Sequence, residues 1–489
     1  MNMIRRVSRL PGFKSFSQAS CPRFERRLGL IEVLLLLILV LTLASCEVSS
    51  SGSETEGDFI KGDTSLTPPT VTVTPIVSVQ MIAFSRDVTG QLDLFAIAED
   101  GSGSLVTLAS DPGDEVFGGS TSDNRIIYVR DMGGGLNDIF SINDDGSGVP
   151  ITLTTDARDE LPVAVTAANE VIFMRGSGTP PDADLLSISA DGGSGEISLA
   201  VTADAELYGG LTSDGRVVYD RTDALLTSDV FSILADGSGG TVPLAVTGDF
   251  EAGGGIAAGG LVIFVRTLAG PPSHNDIFTI DADGLSLEST LVATTDDELP
   301  VGVTAGDLVI FMRTSGFVFN LLSIGASGTP GEAQLAASDF LLSGEFLLYG
   351  GSTGGRIIYN RCDLVPECDV FSRNDDGSGV EATLAGDLVL NEVFAGISSD
   401  GRVIIVRDNG VTTELISINA DGIGEILLAT APTPVPPGEV FKGVTANGRV
   451  IFERTVGGQT DLFSIMADGS AAEASLATAA TNESFGGIF

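Results

Sequence analysis

From residue 79 to the C-terminus the chain repeats one unit nine times, and few folds are open to a chain built that way. One anchor is an arginine closing an apolar run, at Arg86, Arg130, Arg175, Arg221, Arg266, Arg313, Arg361, Arg407 and Arg454. Successive arginines are 44, 45, 46, 45, 47, 48, 46 and 47 residues apart. The other anchor is an acid, or once Asn320, followed by an apolar pair: DLFAI at Asp93, DIFSI at Asp138, DLLSI at Asp184, DVFSI at Asp229, DIFTI at Asp276, NLLSI at Asn320, DVFSR at Asp369, ELISI at Glu414 and DLFSI at Asp461.

Each unit holds four short strand-like runs broken by Asp-Gly and Gly-rich turns, which are hairpin signals. Between Glu115 and Thr155 they read VFGGSTS, RIIYVR, DIFSIN and PITLT. The second runs are almost continuously apolar, which suits a sheet covered on both faces. Four antiparallel strands in 40–50 residues describe a propeller blade. The expected fold is therefore all-β: a single propeller of nine four-stranded blades over residues 79–489. An eight-blade ring is the alternative, because GASGTPG replaces the Asp-Gly turn after Asn320. A β-solenoid fits less well, since Asp-Gly turns imply antiparallel neighbours. The absence of Trp excludes a standard WD signature.

The first run begins with a Glu at a near-constant distance upstream of the arginine, at Glu115, Glu160, Glu206, Glu251, Glu298, Glu345, Glu392 and Glu439. No such run precedes Arg86. The missing copy stands at the very end, as Glu483 to Phe489, so the last strand is expected to complete the first blade and remove a free sheet edge.

The units IFSINDDGSG, VFSILADGSG, LISINADGIG and LFSIMADGSA resemble those of TolB-type propellers of the bacterial envelope. The resemblance implies the fold. It implies no role, since propellers host many, and that family's separate α/β domain has no counterpart here.

Residues 1–45 read as a secretory signal: seven basic residues, two acidic ones and an apolar run from Leu28 to Ala44. The run ends in Leu43-Ala44-Ser45-Cys46, which resembles the lipobox of bacterial lipoproteins. That resemblance implies acylation of Cys46, cleavage before it, and a chain held on a membrane of the cell envelope by its acyl groups. An uncleaved anchor is the alternative, although a run bounded by Leu28 and Ala44 and containing Glu32 is short for a span. Residues 46–78, rich in Ser, Gly, Thr and Pro, read as a tether. Removal of residues 1–45 takes the net charge from -41 to -46. Such a surface argues against nucleic-acid partners and for cations or basic proteins.

The arginine and the acid of each unit flank one hairpin, so the pairs Arg86–Asp93, Arg130–Asp138, Arg175–Asp184, Arg221–Asp229, Arg266–Asp276, Arg361–Asp369, Arg407–Glu414 and Arg454–Asp461 are expected to be ion pairs within a blade. A ring of free arginines binding an anion is the alternative. Cys362 and Cys368 bracket one hairpin loop and, outside the cytoplasm, are expected to form a local disulfide. No cofactor is expected. Calcium at turns such as Asp144-Asp145-Gly146 is a weak alternative, since most copies supply only one or two carboxylates.

Catalytic motifs are scarce. Gly350 to Gly354 match G-x-S-x-G, but inside a repeat strand rather than at a strand-turn-helix, and the sole histidine, His274, is expected in a loop beside Pro271 and Pro272. Loops such as SDPGDE and TTDARDE are acidic, and the loops between second and third strands vary in length. Variable loops on a rigid scaffold are where binding concentrates. The expectation is a lipid-anchored, non-enzymatic module that binds a basic protein through an acidic face. A carboxylate-based glycan-active enzyme, a cation-binding surface protein and a purely structural surface component are the alternatives.

Overall fold

The computed structural model describes residues 79–489, apart from 177–182, 269–272, 340–344, 364–366, 387–389, 409 and 433–437. The signal, Cys46 and the tether lie outside the described residues.

Thirty-six strands form nine four-stranded antiparallel sheets. The one helical turn described is the 3-10 segment Ala258–Gly260. The blades are numbered here by their arginines, from Arg86 in the first to Arg454 in the ninth. The second blade shows the pattern: Glu115–Ser120, Arg125–Asp131, Asn137–Asn143 and Ile151–Thr152. The sixth blade, whose turn is aberrant, is complete: Asp297–Val303, Leu308–Ser315, Val318–Gly325 and Ala333–Asp339. The count is nine.

β-branched and aromatic residues fill the two middle strands because both faces of each sheet are covered. Nine apolar clusters result, each shared by two adjacent blades, and the ninth joins Ile451 and Leu462 to Ile82 and Phe84 of the first blade. Each fully buried Ile or Phe adds roughly 1.5–3 kcal/mol. The Asp-Gly turns follow from backbone geometry: Gly146 has φ 70°, a conformation that side chains disfavour.

The first strands of neighbouring blades touch one another around the ring, so they are the innermost. Glycines on these strands receive a ring from the next blade. Phe117 lies on Gly487, where any Cβ would collide with it, and Pro162 on Gly118, Tyr349 on Gly302 and Phe441 on Gly396 repeat the contact. The serine of the S-I anchor is a second joint. Ser141 Oγ donates to the Ala190 carbonyl of the following blade at 2.6 Å, and Ser187 to Ala235 at 2.6 Å. Ser232, Ser323, Ser372 and Ser417 do the same, and Ser464 reaches Glu99, closing the circle from ninth blade to first.

Strand Glu483–Ile488 pairs antiparallel with Met81–Asp87 and completes the first blade. Ring closure thus rests on a strand separated by almost the whole described chain.

Candidate functional site

The charged groups the sequence singles out assemble into a stripe across each blade. In the fifth blade, Glu251, Arg266 and Asp276 stand opposite one another on the first, second and third strands. Arg266 Nε donates to Glu251 Oε1 at 2.8 Å, and its terminal nitrogens donate to both oxygens of Glu288, before the fourth strand, at 2.7 and 2.6 Å. Between the two carboxylates the guanidinium lies over Phe278, 4.6 Å from the ring centre. Arg175, Arg313, Arg407 and Arg454 repeat the stripe with Glu160 and Glu196, Glu298 and Glu332, Glu392 and Glu425, and Glu439 and Glu473. Arg130 pairs with Glu115 at 3.0 Å and with Asp111. Arg221 pairs with Glu206 at 3.3 Å, and Arg86 with Glu483 at 3.1 Å.

This corrects the expected pairing. The arginine's partner is the first-strand glutamate, not the acid across the next hairpin. Arg86–Asp93, Arg130–Asp138, Arg175–Asp184, Arg221–Asp229, Arg266–Asp276, Arg361–Asp369 and Arg454–Asp461 face each other in register but are not among the described ion pairs. Arg407–Glu414, at 3.6 Å, is the exception. The arginine spans the sheet: Nε stays beside the first-strand Glu while the terminal nitrogens extend to the outer glutamate, both where the third strand carries a Phe and where it carries Leu186, Leu322 or Ile416. The nine arginines all have carboxylate partners, Arg361 through Glu381 at 3.1 Å, so they offer no free ring for an anion.

The third-strand acids are spent elsewhere. Asp184 pairs with Arg158 at 2.7 Å, and Asp276 lies 3.7 Å from His274 Nε2. Burial raises the Asp138 pKa, and Arg175 of the next blade partly offsets it. Burial pushes Glu115 up to about 7, against the pull of Arg130. Asp220, buried against the Gly253 amide of the next blade, is pushed up to about 6.

Two sets of residues escaped the sequence reading. One is the outer glutamates, whose signal was an acid immediately before the short fourth run. The other is a second arginine that opens the second strand in five blades: Arg125, Arg216, Arg356, Arg402 and Arg449. Arg125, Arg356 and Arg402 bond the latch serine and an Asn, the latter at 3.1, 2.8 and 2.9 Å. Their signal was the Arg that follows an Asp-Asn, Asp-Gly, Gly-Gly or Asn-Gly turn.

The Asp-Gly turns cap themselves. Asp145, Asp236 and Asp376 each accept the amide of a serine two residues on, at 2.8 Å. Among the described residues no group of three or more His, Cys, Asp or Glu is placed to hold a metal. The acidic loops are partly committed as well: Asp114 accepts the Leu92 amide at 2.8 Å, and Asp159 the Asn137 amide group at 2.8 Å. Ser352 of the G-x-S-x-G match lies within strand Phe346–Thr353, opposite Ile357 and not at a strand-to-helix turn. Cys362 and Cys368 are bonded to each other at the end of a hairpin. On the innermost strands, Val116, Leu161, Leu207 and Val393 are 40–58% exposed, an apolar set directly after the buried glutamates.

No family model and no curated protein matches the chain. Solved structures do. Dipeptidyl peptidase 4 of Porphyromonas gingivalis aligns with 74% of this chain and 59% of its own, at 12% identity and a TM-score of 0.52. Oligopeptidase B of Leishmania major aligns with 72% of this chain and 53% of its own, at 9% identity and a TM-score of 0.42. A puromycin hydrolase aligns with 68% and 57%, at 16% identity and a TM-score of 0.39. The chain spans a little over half the length of these proteins. At such identities the likeness is one of fold, with the first of the three above a TM-score of 0.5. What the likeness shows is a β-propeller fold. This corrects the expectation of a non-enzymatic protein-binding or scaffold module: the fold's neighbours are hydrolytic enzymes.

Proposed function

We propose that the chain is a peptidase-related propeller that engages peptides in a hydrolytic system of the bacterial envelope. The observation supporting this is the shared fold with a dipeptidyl peptidase over 74% of the chain. The exposed aliphatic side chains of the innermost strands suit an extended peptide with apolar side chains. The strongly acidic composition favours one that also carries basic residues. Within this reading the repeats are of the TolB type, and Cys46 holds the chain on the membrane through acyl groups.

The test uses the full chain with a panel of fluorogenic dipeptidyl and aminoacyl amides, alongside binding titrations of uncleavable basic-apolar peptides. Saturable binding or turnover that falls when Leu161 and Leu207 become Ser supports the reading. Neither binding nor turnover over the whole panel overturns it. Labelling with radioactive palmitate, lost in Cys46→Ser, tests the anchor separately.

A further inference from the structure

The seventh blade is built differently at its arginine. In eight blades a buried glutamate stands directly opposite that arginine. In the seventh the opposite residue is Leu347, 1% exposed, because Glu345 falls two residues earlier, before the strand begins. Arg361 keeps its outer partner Glu381 and its place over Phe371, 4.5 Å from the ring centre. Its Nε is buried without a hydrogen-bond partner; the Arg221 Nε also makes no hydrogen bond but lies 3.3 Å from the Glu206 carboxylate, whereas Arg361 has no glutamate opposite. A buried unpaired donor on a cation favours any opening that lets water reach it.

The next pair in register is Cys362 and Cys368, joined as a disulfide. Elsewhere the same position carries a weaker cross-strand tie: Thr222 to Ser228 at 3.2 Å, Thr267 to Asn275 at 2.7 Å, and Thr455 to Thr460 at 2.9 Å. The covalent tie therefore stands one residue from the one arginine that lacks its glutamate.

We infer that the Cys362–Cys368 bond replaces the missing glutamate, and that the seventh blade is the point of the ring whose rigidity depends on thiol redox state. With the bond intact, the hairpin cannot part at Arg361. Reduction by an added dithiol breaks the S–S bond and leaves two Cys thiols. The dithiol supplies both electrons and both protons and closes to its own disulfide. The hairpin end then has neither a first-strand carboxylate nor a covalent tie, and Arg361 is left with Glu381 alone.

Hydrogen exchange read by mass spectrometry on the full chain, oxidised and dithiothreitol-reduced, tests this. Alkylation of Cys362 and Cys368 confirms reduction. Exchange in peptides covering 356–374 is expected to rise at least about tenfold on reduction, while peptides from 308–325 and 402–419 change less than about twofold. In Leu347→Glu the rise is expected to shrink to less than about threefold. An unchanged rate at 356–374, an equal rise around the ring, or a full tenfold rise in Leu347→Glu overturns the inference. Should Leu347→Glu fail to fold, the sixth blade supplies the reciprocal: Glu298→Leu with Thr314→Cys and Phe319→Cys, positions that face each other in register. That variant is expected to exchange like the wild type when oxidised and about tenfold faster at 308–325 when reduced. Equal rates in both states overturn the inference.

Discussion

The first and seventh blades both lack a standard first strand in their own stretch of sequence, and they solve the problem in opposite ways. The first blade takes its innermost strand from the far end of the chain. Glu483 arrives 397 residues from Arg86 and still makes the 3.1 Å contact with its Nε. The seventh blade has its innermost strand in place, immediately upstream of the strand that carries Arg361, and finds Leu347 opposite the arginine instead of a glutamate. Contact between charges thus follows register rather than chain proximity. A slip of two residues near Glu345 achieves what a separation of almost the whole ring does not.

Deleting residues 483–489 breaks the first of these solutions and should have the largest effect. It removes Glu483, exposes the edge of Met81–Asp87 and takes Phe485 and Phe489 from their packing. The cooperative thermal transition, followed by circular dichroism, is expected to be lost or lowered by more than about 5 °C, as befits several kcal/mol in a domain of this size. An unchanged transition refutes closure by this strand.

Glu298→Leu turns the sixth blade into a seventh without its disulfide. It leaves the Arg313 Nε without the glutamate it now bonds at 2.9 Å, although Glu332 remains. Removing one partner of a buried pair costs about 3–5 kcal/mol. Denaturant titration should show that loss, and Glu298→Gln, which keeps an acceptor for Nε, should lose about half as much. Equal stability of Glu298→Leu and wild type shows that the outer glutamate suffices alone, and the contrast between the blades disappears.

How far the sequence could be read depends on what each feature needs. Strand runs and Asp-Gly turns are local, so the blade, the count of nine and the closing strand were legible from period and phase. The arginine's partner was not. The glutamate at the head of the first run was visible, but choosing between it and the nearer Asp requires knowing that the guanidinium reaches across the sheet to an outer glutamate. The Leu347 exception was hidden for a related reason: Glu345 satisfies the spacing to within one residue, and only pairing in register shows that it misses. The likeness of fold to a dipeptidyl peptidase left no sequence signal, because at 12% identity the shared property is backbone geometry.

The buried carboxyls add a pH dependence that sets the seventh blade apart from the blades that keep their glutamate. An acid whose folded pKa is raised binds its proton more tightly folded than unfolded, so stability falls as pH rises between the two values. Glu115, raised from 4.5 to about 7, and Asp220, from 3.8 to about 6, both act this way. The melting temperature is expected to be several degrees higher at pH 5 than at pH 7.5. Glu115→Gln should flatten the dependence between pH 5 and 7. The seventh blade, with Leu347 in the glutamate's place, should contribute none of it there, so Leu347→Glu should steepen the slope. A melting temperature that rises from pH 5 to 7.5 contradicts the assignment.

The smallest effect concerns the joints between blades, where the first blade again stands apart. At the latch position it has Ala96 instead of serine, and its joint to the second blade uses Ser85, which donates to the Glu115 carbonyl at 2.8 Å. Ser187→Ala removes a 2.6 Å bond to a buried carbonyl and should cost about 1 kcal/mol. Ala96→Ser offers the first joint the hydroxyl that its neighbours use, aimed in their pattern at the carbonyl preceding an Asp-Gly turn. It should add about 0.5–1 kcal/mol, the net value of one buried hydrogen bond. Measured together by denaturant titration, the two variants should differ in sign and agree in size. Destabilisation by Ala96→Ser would instead show that the first joint has no room for a hydroxyl, and that Ser85 is there because the usual latch cannot form.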